Sequence, residues 1–317
     1  MATFIARRIL QSIPVLLVIS LGIFLIMRTV PGDPAKQYLG GMTTSITEEA
    51  LEAVRAEWGL DKPLVVQYGI WLGGLVRGKM GHSYFFARPV SQMIANALPV
   101  TLELALLSLP LAVILGTAVG ILAALHRGTL LDYGLSAVTL FGLSVPDFWL
   151  GILLISLFSV QLGILPSVGF VRFAVNPAAN LRHLVMPAMT MALTLMAPFM
   201  RFTRSSMLEV LSQDYMQVAR AKGLDERVVI LKHGLRNGLI PSVTLLGLYV
   251  ALFFGGAAVV ETVFALPGVG RMLVTSISQR DYLVIQDVVV LVGAAYLFIN
   301  ICVDILYIII DPRIKYT

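Results

Sequence analysis

The feature that most constrains this chain is a series of six long apolar runs in which charged residues are rare. They lie near residues 9–28, 99–124, 133–162, 183–203, 239–262 and 283–308. A helix needs about 20 such residues to cross the hydrocarbon core of a bilayer. Only 13% of the 317 residues are charged, against roughly a quarter in soluble domains. The sequence therefore predicts an all-α polytopic membrane protein with about six transmembrane helices.

Three of the runs carry features that bear on how they cross or pack. Arg7 and Arg8 precede the first run as they would in a signal peptide, but no small-residue cleavage site follows, so we expect the run to stay as an anchor. Gly116 and Gly120 in the second run form a weak signal for close helix packing. The third run contains Pro146 beside Asp147, which favours either one bent helix or a helix plus an interfacial piece.

The distribution of positive charge predicts the orientation, because short inner loops are enriched in lysine and arginine. With the N-terminus inside, the inner side collects Arg7, Arg8, Arg127, Arg201, Arg204, Arg220, Lys222, Arg227, Lys232, Arg236, Arg313 and Lys315. The short outer loops then hold only Arg172, Arg182, Arg271 and Arg280. Both termini are therefore expected in the cytoplasm. This bias explains the net charge of +5 without a nucleic-acid partner.

Few residues suit a metal, a nucleotide or a covalent reaction. The one cysteine, Cys302, lies in the last run, and the four histidines are scattered. The stretch GGLVRGKM at 73–80 nearly spells a phosphate-binding loop, but Met80 stands where a Ser or Thr hydroxyl is needed for magnesium. We expect no cofactor, no metal site and no catalytic residue.

The long segment after the first run, 29–97, is expected outside the cytoplasm. PGDP at 31–34 predicts an extended turn, and a short helix is predicted over 46–58. Ser45 and Glu48 would form its capping box, and Gly59 would close its far end. The residues alone fit a surface linker and a docking platform for an external partner equally well.

The most polar helical stretch, QDYMQVARAKGLDERVVILKHGLRNGLIP at 213–241, predicts a helical hairpin on the inner face. Ser212 is the predicted cap of a first helix, and Gly223 is the predicted left-handed residue that ends it. Asp225 is the predicted cap of a second helix that runs to Arg236, before Pro241 opens the fifth span. The hairpin's apolar side chains need cover from the chain's own bundle or from a cytoplasmic partner, and the residues leave both open.

A resemblance narrows that choice. Inner-membrane permease subunits of binding-protein-dependent ABC importers carry a cytoplasmic signature of Glu-Ala-Ala, three residues, Gly, nine residues, Ile, one residue and Leu-Pro, which docks on the ATPase. Aligned on Gly223, this chain matches the general form at Ala219, Gly223 and Leu235, and differs at Gln217, Val218, His233 and Arg236. It is closely similar to the peptide and nickel branch, whose version resembles DYMQVARAKGL followed by KHGLRNGLIP.

Eight further pieces resemble that branch, in order and across the whole length. They are ARRILQSIPVLLVIS and PGDP near the start, GLDKPLVVQY at 59–68, TLELA at 101–105, TRSSMLEVL at 203–211, ETVFALPGVGR at 261–271, RDYLVIQ at 280–286 and DPRIK at 311–315. The chain thus resembles the first, B-type permease of a dipeptide, oligopeptide or nickel importer with the type I permease fold. The resemblance places it in the bacterial inner membrane.

The resemblance also implies partners and domains. The partners are a second homologous permease, two ATP-binding cassette subunits and a periplasmic or extracellular solute-binding protein. Residues 1–98 would be a transmembrane helix plus a periplasmic segment, 99–312 the permease core with a coupling loop at 206–238, and 313–317 a cytoplasmic tail. The implied coupling residues are Asp214, Tyr215, Ala219, Arg220, Ala221, Lys222, Gly223, Leu224, His233, Leu235, Arg236 and Asn237. Candidate contacts of the binding protein are Glu48, Glu52, Pro267, Gly268, Gly270 and Arg271.

The implied function is ATP-driven import of a peptide, glutathione, an opine or chelated nickel, with hydrolysis in the partner subunits. The alternative is an ion-coupled secondary transporter, which predicts paired ionisable groups near the middle of the bilayer. Four carboxylates, Glu103, Asp147, Glu261 and Asp287, fall near predicted span ends or irregular points, so most are expected at the interface. An intramembrane hydrolase would need a pattern such as HExxH or GxSxG, which the sequence lacks.

Overall fold

The computed structural model describes residues 2–30, 35–36, 39, 47–57 and 59–310. In chain order its elements are α1 (Ala2–Thr29), α2 (Glu48–Glu57), α3 (Leu64–Val76), β1 (His82–Ser83), β2 (Arg88–Pro89), α4 (Val90–Leu125), α5 (Leu130–Ser144), α6 (Asp147–Leu154), a π-helix at Ile155–Gln161, α7 (Pro177–Leu211), α8 (Asp214–Ala221), α9 (Glu226–Val228), a π-helix at Val229–Gly234, α10 (Leu235–Gly238), α11 (Ile240–Val263), α12 (Val269–Ser278) and α13 (Tyr282–Ile310). The all-α prediction is confirmed.

The predicted membrane runs coincide with the long helices. Within the part of the chain that the structure describes, four helices are long and apolar enough to cross a bilayer: Ile5–Thr29, Val90–Leu125, Pro177–Leu211 and Tyr282–Cys302. The pair Leu130–Ser144 and Asp147–Gln161 makes a fifth span if it is counted as one. The remaining predicted run matches α11, of which Phe253–Val263 is a shorter apolar helix within the described residues.

The third run breaks sharply at Pro146. Its two helical parts are bent by 105°, because Pro146 lacks an amide hydrogen and Val145 before it adopts an extended backbone with ψ 125°. Asp147 opens the second part and accepts a hydrogen bond of 2.7 Å from the Thr194 hydroxyl in α7. The run is therefore two helical pieces, and a polar contact anchors the start of the second to a neighbouring helix.

The chain divides into two compact units, one of Met1–Val100 with Pro267–Ile305 and one of Thr101–Leu266 with Leu306–Thr317. The core of the first unit joins the start of α4 to α12 and α13. Its buried members are Val90, Ile94, Ala97, Val269, Met272, Val284 and Val288. The side chains of Leu51 and Val54 in α2 form a second small cluster with Ala35.

A small β-hairpin is hydrogen-bonded to the turn between α12 and α13 in the first unit. The Tyr84 hydroxyl donates to the Arg280 carbonyl and accepts from the Tyr282 amide, and the Ser83 hydroxyl donates to the Asp281 carboxylate. Arg280 has a left-handed φ of 56°. Burial raises the pKa of the Asp281 carboxyl. The hairpin was not predicted, because its partners lie 196 to 198 residues further along the chain.

In the second unit, α4 and α7 meet at the predicted glycine pair. A Cβ added at Gly116 would lie 2.5 Å from the Met196 carbonyl oxygen, and one at Gly120 would lie 2.6 Å from that of Met200. Real Cβ atoms do not approach backbone that closely, so only glycine allows this contact. The weak packing signal in the sequence is confirmed.

Candidate functional site

The candidate site is the hairpin between α7 and α11, residues 213–238. The predicted cap at Ser212 is wrong: Ser212 ends α7, with a helical φ of −89° and ψ of −5°. Its hydroxyl donates to the Glu209 carbonyl at 2.7 Å. Gln213 has the extended backbone that precedes a helix and caps α8 without a side-chain hydrogen bond. The serine was already used to finish the preceding helix, and local spacing alone does not distinguish the two roles.

The turn of the hairpin confirms two predictions. Gly223 has a φ of +77°, which is the left-handed region, and its amide donates to the Arg220 carbonyl at 2.9 Å. The Asp225 carboxylate accepts from the Arg227 amide at 2.9 Å and caps the next helix. The region beyond Asp225 is not one regular α-helix, because Val229–Gly234 forms a π-helix between α9 and α10.

One face of the hairpin is buried by its own chain. Met216 and Ala219 of α8 pack with Val229, and Val210 and Leu211 at the end of α7 cover the same cluster. Met216 and Val229 are completely buried. This cluster ties the hairpin to α7, so a displacement of the hairpin is expected to be passed to that helix.

The opposite face presents apolar side chains to the exterior. Val218 is 52% exposed and Leu231 is 64% exposed. Tyr215, Leu224 and Val228 are each 40% exposed. The same hairpin also exposes four basic residues, Arg220, Lys222, Arg227 and Lys232. Exposed apolar side chains together with basic ones are the composition of a protein docking surface. The chain itself therefore covers one face of the hairpin, and the exposed face is left for a partner.

The two sides of the hairpin turn are joined by an ion pair. Arg220 donates from Nη2 to Glu226 Oε1 at 2.8 Å and from Nε to Oε2 at 3.1 Å. These hydrogen bonds lower the pKa of the Glu226 carboxyl. Both side chains are exposed, so the pair fixes the shape of the turn more than it adds to stability.

The remaining candidate coupling residues lie along the same element. Asp214 and Ala221 are exposed in α8, whereas His233 and Leu235 are half-buried around the end of the π-helix. Arg236 and Asn237 belong to α10, and their side chains lie outside the described residues. The structure thus brings Asp214 to Leu224 together on one helix and its turn, and places His233 and Leu235 on the following segment.

The candidate outer contacts lie on two elements of the first unit. Helix α2 confirms the predicted short helix, and Glu48 and Glu52 are exposed on it one turn apart. The PGDP turn and the Ser45 cap lie outside the described residues. Pro267 is exposed, Gly268 is buried at the start of α12, and Gly270 and Arg271 are half-buried.

Two of the four carboxylates near predicted span ends are buried inside the protein. Glu261 accepts from the Thr101 hydroxyl at 2.6 Å, and Asp287 accepts from the Trp71 indole at 2.8 Å. Both are fully buried. Sequence reasoning missed Thr101 and Trp71, because each is more than 150 residues from its partner. Among the described residues, no group of three or more His, Cys, Asp or Glu side chains is placed to hold a metal ion.

Comparisons with known proteins cover the whole chain. A family described as binding-protein-dependent transport system inner membrane component matches residues 116–316, and the N-terminal domain model of the same kind of component matches residues 1–105. A putative peptide transport system permease protein of Brucella abortus is 44% identical over 316 residues, covering 100% of both chains. The oligopeptide transport system permease protein AppB of Bacillus subtilis and the glutathione transport system permease protein GsiC of Escherichia coli are each 42% identical over 100% of both chains.

Proposed function

Because the chain belongs to the family of binding-protein-dependent transport system inner membrane components, we propose that it forms half of the path by which an ATP-driven importer carries peptides or a related small solute. It is a transport component and not an enzyme, and ATP is hydrolysed by partner subunits. Family membership also decides against an ion-coupled secondary transporter and an intramembrane hydrolase.

The proposed assembly contains a second, homologous permease, two ATP-binding cassette subunits and one external solute-binding protein. The family description supports the binding protein and the ATPase. The second permease and the stoichiometry are inferred from the resemblance to the B-type permease of the peptide and nickel branch. We further propose that residues 1–98, 99–312 and 313–317 divide the chain as the sequence suggests.

The uncovered apolar face of the hairpin is the observation that carries the proposed coupling to ATP. Val218, Leu224 and Leu231 need a partner, and a groove on an ATPase subunit would supply it. The shape of the turn is set by the left-handed Gly223, the Asp225 cap and the Arg220–Glu226 ion pair. The buried Met216 packs the hairpin against the end of α7. A hairpin built this way moves as a rigid lever.

The lever itself supplies no energy. Converting a two-state equilibrium from nearly all of one state to nearly all of the other takes about 5.5 kcal/mol of differential binding. Nucleotide and the loaded binding protein provide it, and the bundle passes between inward-open and outward-open states. On the outer side, Glu48, Glu52 and the segment Pro267 to Arg271 are the proposed contacts of the binding protein.

The proposed cargo class follows the relatives, whose names refer to peptide, oligopeptide and glutathione transport. Selection among these solutes is assigned to the binding protein. Identifying the ligand that co-purifies with the cognate binding protein, or stabilises it, tests the cargo class directly.

Cysteine crosslinking tests the coupling role. Single cysteines at positions 219 to 228, in a Cys302→Ala background, are paired with cysteines in the ATPase groove. Crosslinks that change with nucleotide are expected, because a moving lever changes its distances. A matched control places a cysteine at Val175, which is 76% exposed and outside the hairpin, and gives no crosslink. The absence of crosslinks at every hairpin position would show that this segment is not the coupling element.

The proposed orientation places both termini in the cytoplasm. A reporter that is active only in the cytoplasm should be on when fused after Gly128, Ser212 or Thr317. It should be off when fused near Trp58 or Asn176. Inversion at all five positions would contradict the orientation, and with it the cytoplasmic placement of the hairpin.

A further inference from the structure

Helix α3 has the reverse polarity of a helix on a water-soluble surface. Its packed face carries its polar side chains, Gln67, Tyr68 and Trp71. Its opposite face is apolar: Val65 is 83% exposed, Ile70 is 49% exposed and Val76 is 81% exposed. A helix that faces water turns its apolar stripe inward. The exposed face of α3 is therefore suited to apolar surroundings and not to water.

The packed face of α3 docks on the C-terminal half of α1. The Tyr68 hydroxyl and the Ser20 hydroxyl are hydrogen-bonded at 2.8 Å. The Phe24 ring lies 5.4 Å from that of Tyr68 and 5.9 Å from that of Trp71. The Trp71 indole also donates to Asp287 near the start of α13. Two membrane-spanning helices of the same unit thus hold α3 through aromatic and polar contacts.

The contacts on α1 place α3 at membrane depth. Ser20 precedes Arg28, the first charged residue at that end of α1, by about 12 Å of helix axis. Helices that lie in a membrane interface bury their apolar face about 5–10 Å below the headgroups. Leu17, Leu21 and Leu25 flank Ser20 and Phe24 in α1, and each is more than two-fifths exposed. The apolar face of α3 therefore continues the exposed apolar surface of α1, a helix long and apolar enough to cross a bilayer.

The ends of α3 fit a position in the plane of the membrane. Its 13 residues include no charge and reach about 20 Å, too short to cross the hydrocarbon core. Exposed Lys62 and Arg77 stand just beyond its two ends, where long basic side chains reach headgroup phosphates. The last carbonyls are satisfied within the chain, since Gly74 accepts from the Lys79 amide at 2.8 Å and Leu75 from the Gly78 amide at 3.0 Å.

We propose that α3 is an interfacial half-helix embedded in the membrane leaflet that contains the C-terminal half of α1, with the acyl chains of that leaflet packed on Val65, Val66, Ile70 and Val76. The segment between α1 and α4 is then partly lipid-embedded and not wholly in the aqueous compartment. This inference depends on the membrane family of the chain and not on the proposed coupling role of the hairpin.

Spin-label accessibility in the complete importer, reconstituted in nanodiscs, tests the proposal. Single labelled cysteines are placed at Ile70 and Val65 on the outer face and at Lys62 beyond the helix end, in the Cys302→Ala background. Val18, which is 71% exposed on α1, serves as the lipid reference, and Glu49 on α2 serves as the water reference. Uptake by cells that express each cysteine variant confirms that the variant assembles into a working importer.

Collision rates with oxygen, which concentrates in acyl chains, and with a water-soluble nickel chelate distinguish the possible surroundings. We expect the ratio of oxygen to chelate accessibility at Ile70 and Val65 to match that at Val18 and to exceed that at Glu49. Lys62 should be accessible to the chelate. Chelate access at Ile70 equal to that at Glu49 would overturn the proposal in favour of an aqueous surface. Low access to both reagents at Ile70 and Val65 would overturn it in favour of a protein partner, such as the second permease.

Discussion

The packing of α4 and α5 against α7 and the hairpin at 213–238 both contain functionally placed glycine and an arginine–carboxylate pair, but the two regions use them for different purposes. At Gly116 and Gly120 glycine is needed for space, because an added Cβ would meet backbone. At Gly223 no atom lies within 4 Å of an added Cβ, and glycine is needed for its left-handed φ of +77°. The same residue type thus supports close packing in one region and a change of direction in the other.

The two ion pairs differ in the same way. Arg204 binds both oxygens of Asp132 at 2.7 Å, and the Gly128 amide adds a bond of 3.0 Å. The Asp132 side chain is 2% exposed and that of Arg204 is 30% exposed. In the hairpin, the Arg220 and Glu226 side chains are 40% and 53% exposed. Removing Asp132 would leave the Arg204 charge largely buried without a partner, which is costly. Removing Glu226 would leave the Arg220 charge in water, which costs little.

The largest effect is expected from Asp132→Ala, which leaves Arg204 unpaired between α5 and α7. We expect a loss of about 3 kcal/mol in the free energy of unfolding, at the low end for a broken buried pair because Arg204 keeps some exposure. Denaturation of the purified chain in detergent measures it. The double variant Asp132→Ala with Arg204→Met should recover most of the loss, since no charge is then stranded. A loss no greater than that of Glu226→Ala would break the comparison.

Gly120→Ala should cost about 2 kcal/mol, since overpacking against backbone forces the two helices apart. The matched control is Gly134→Ala in α5, where an added Cβ meets nothing within 4 Å. There the substitution removes backbone freedom from the unfolded chain and should be neutral or slightly stabilising. Equal stability of the two variants in the same denaturation assay would show that α4 and α7 do not approach as closely as described.

Gly223→Val should strain the turn by about 1–2 kcal/mol without a steric clash, and misdirect the segment after it. The variant should reach the membrane in near-normal amount but fail to couple ATP hydrolysis to uptake. Gly223→Asn is the control, because asparagine tolerates the left-handed region and should retain coupling. The test compares membrane abundance with uptake per ATP hydrolysed. Normal uptake by Gly223→Val would remove the turn from the mechanism.

The smallest effect is expected from Glu226→Gln, which should leave stability unchanged within error at neutral pH. The Arg220 hydrogen bonds lower the pKa of Glu226, so the contribution of the pair is present above the unfolded-state pKa and is lost as pH falls through the folded-state pKa. Wild type and variant should therefore denature alike at low pH as well. A clear stability gap at neutral pH that closes on acidification would show that the exposed pair contributes more than its surroundings suggest.

Local signals account for most of what the sequence predicted. The long apolar runs, the left-handed Gly223 and the Asp225 cap each depend on a few neighbouring residues, and each is confirmed. The Asp132–Arg204 pair was missed because its members are 72 residues apart. Helix α3 was missed because 13 apolar residues are too few for a span. The uncharged run between Lys62 and Arg77 is the sequence feature that indicates a short apolar helix. The end of that run was instead interpreted as part of GGLVRGKM, a near match to a phosphate-binding loop.

The hydrogen bonds from Ser83 and Tyr84 to the turn before α13 have a consequence for biogenesis. Tyr84 and Ser83 bond to residues that the ribosome adds 196 to 198 positions later, and the partner of Trp71, Asp287, is added 216 positions later. At about 5–20 residues per second, this delay is roughly 10–40 s. During it, the polar groups of Trp71, Ser83 and Tyr84 lack the partners that they have in the complete protein. Completion of the last helix therefore acts as the closing step of assembly, and a nascent chain that stops before Tyr282 leaves the segment that carries these groups open to chaperones and proteases.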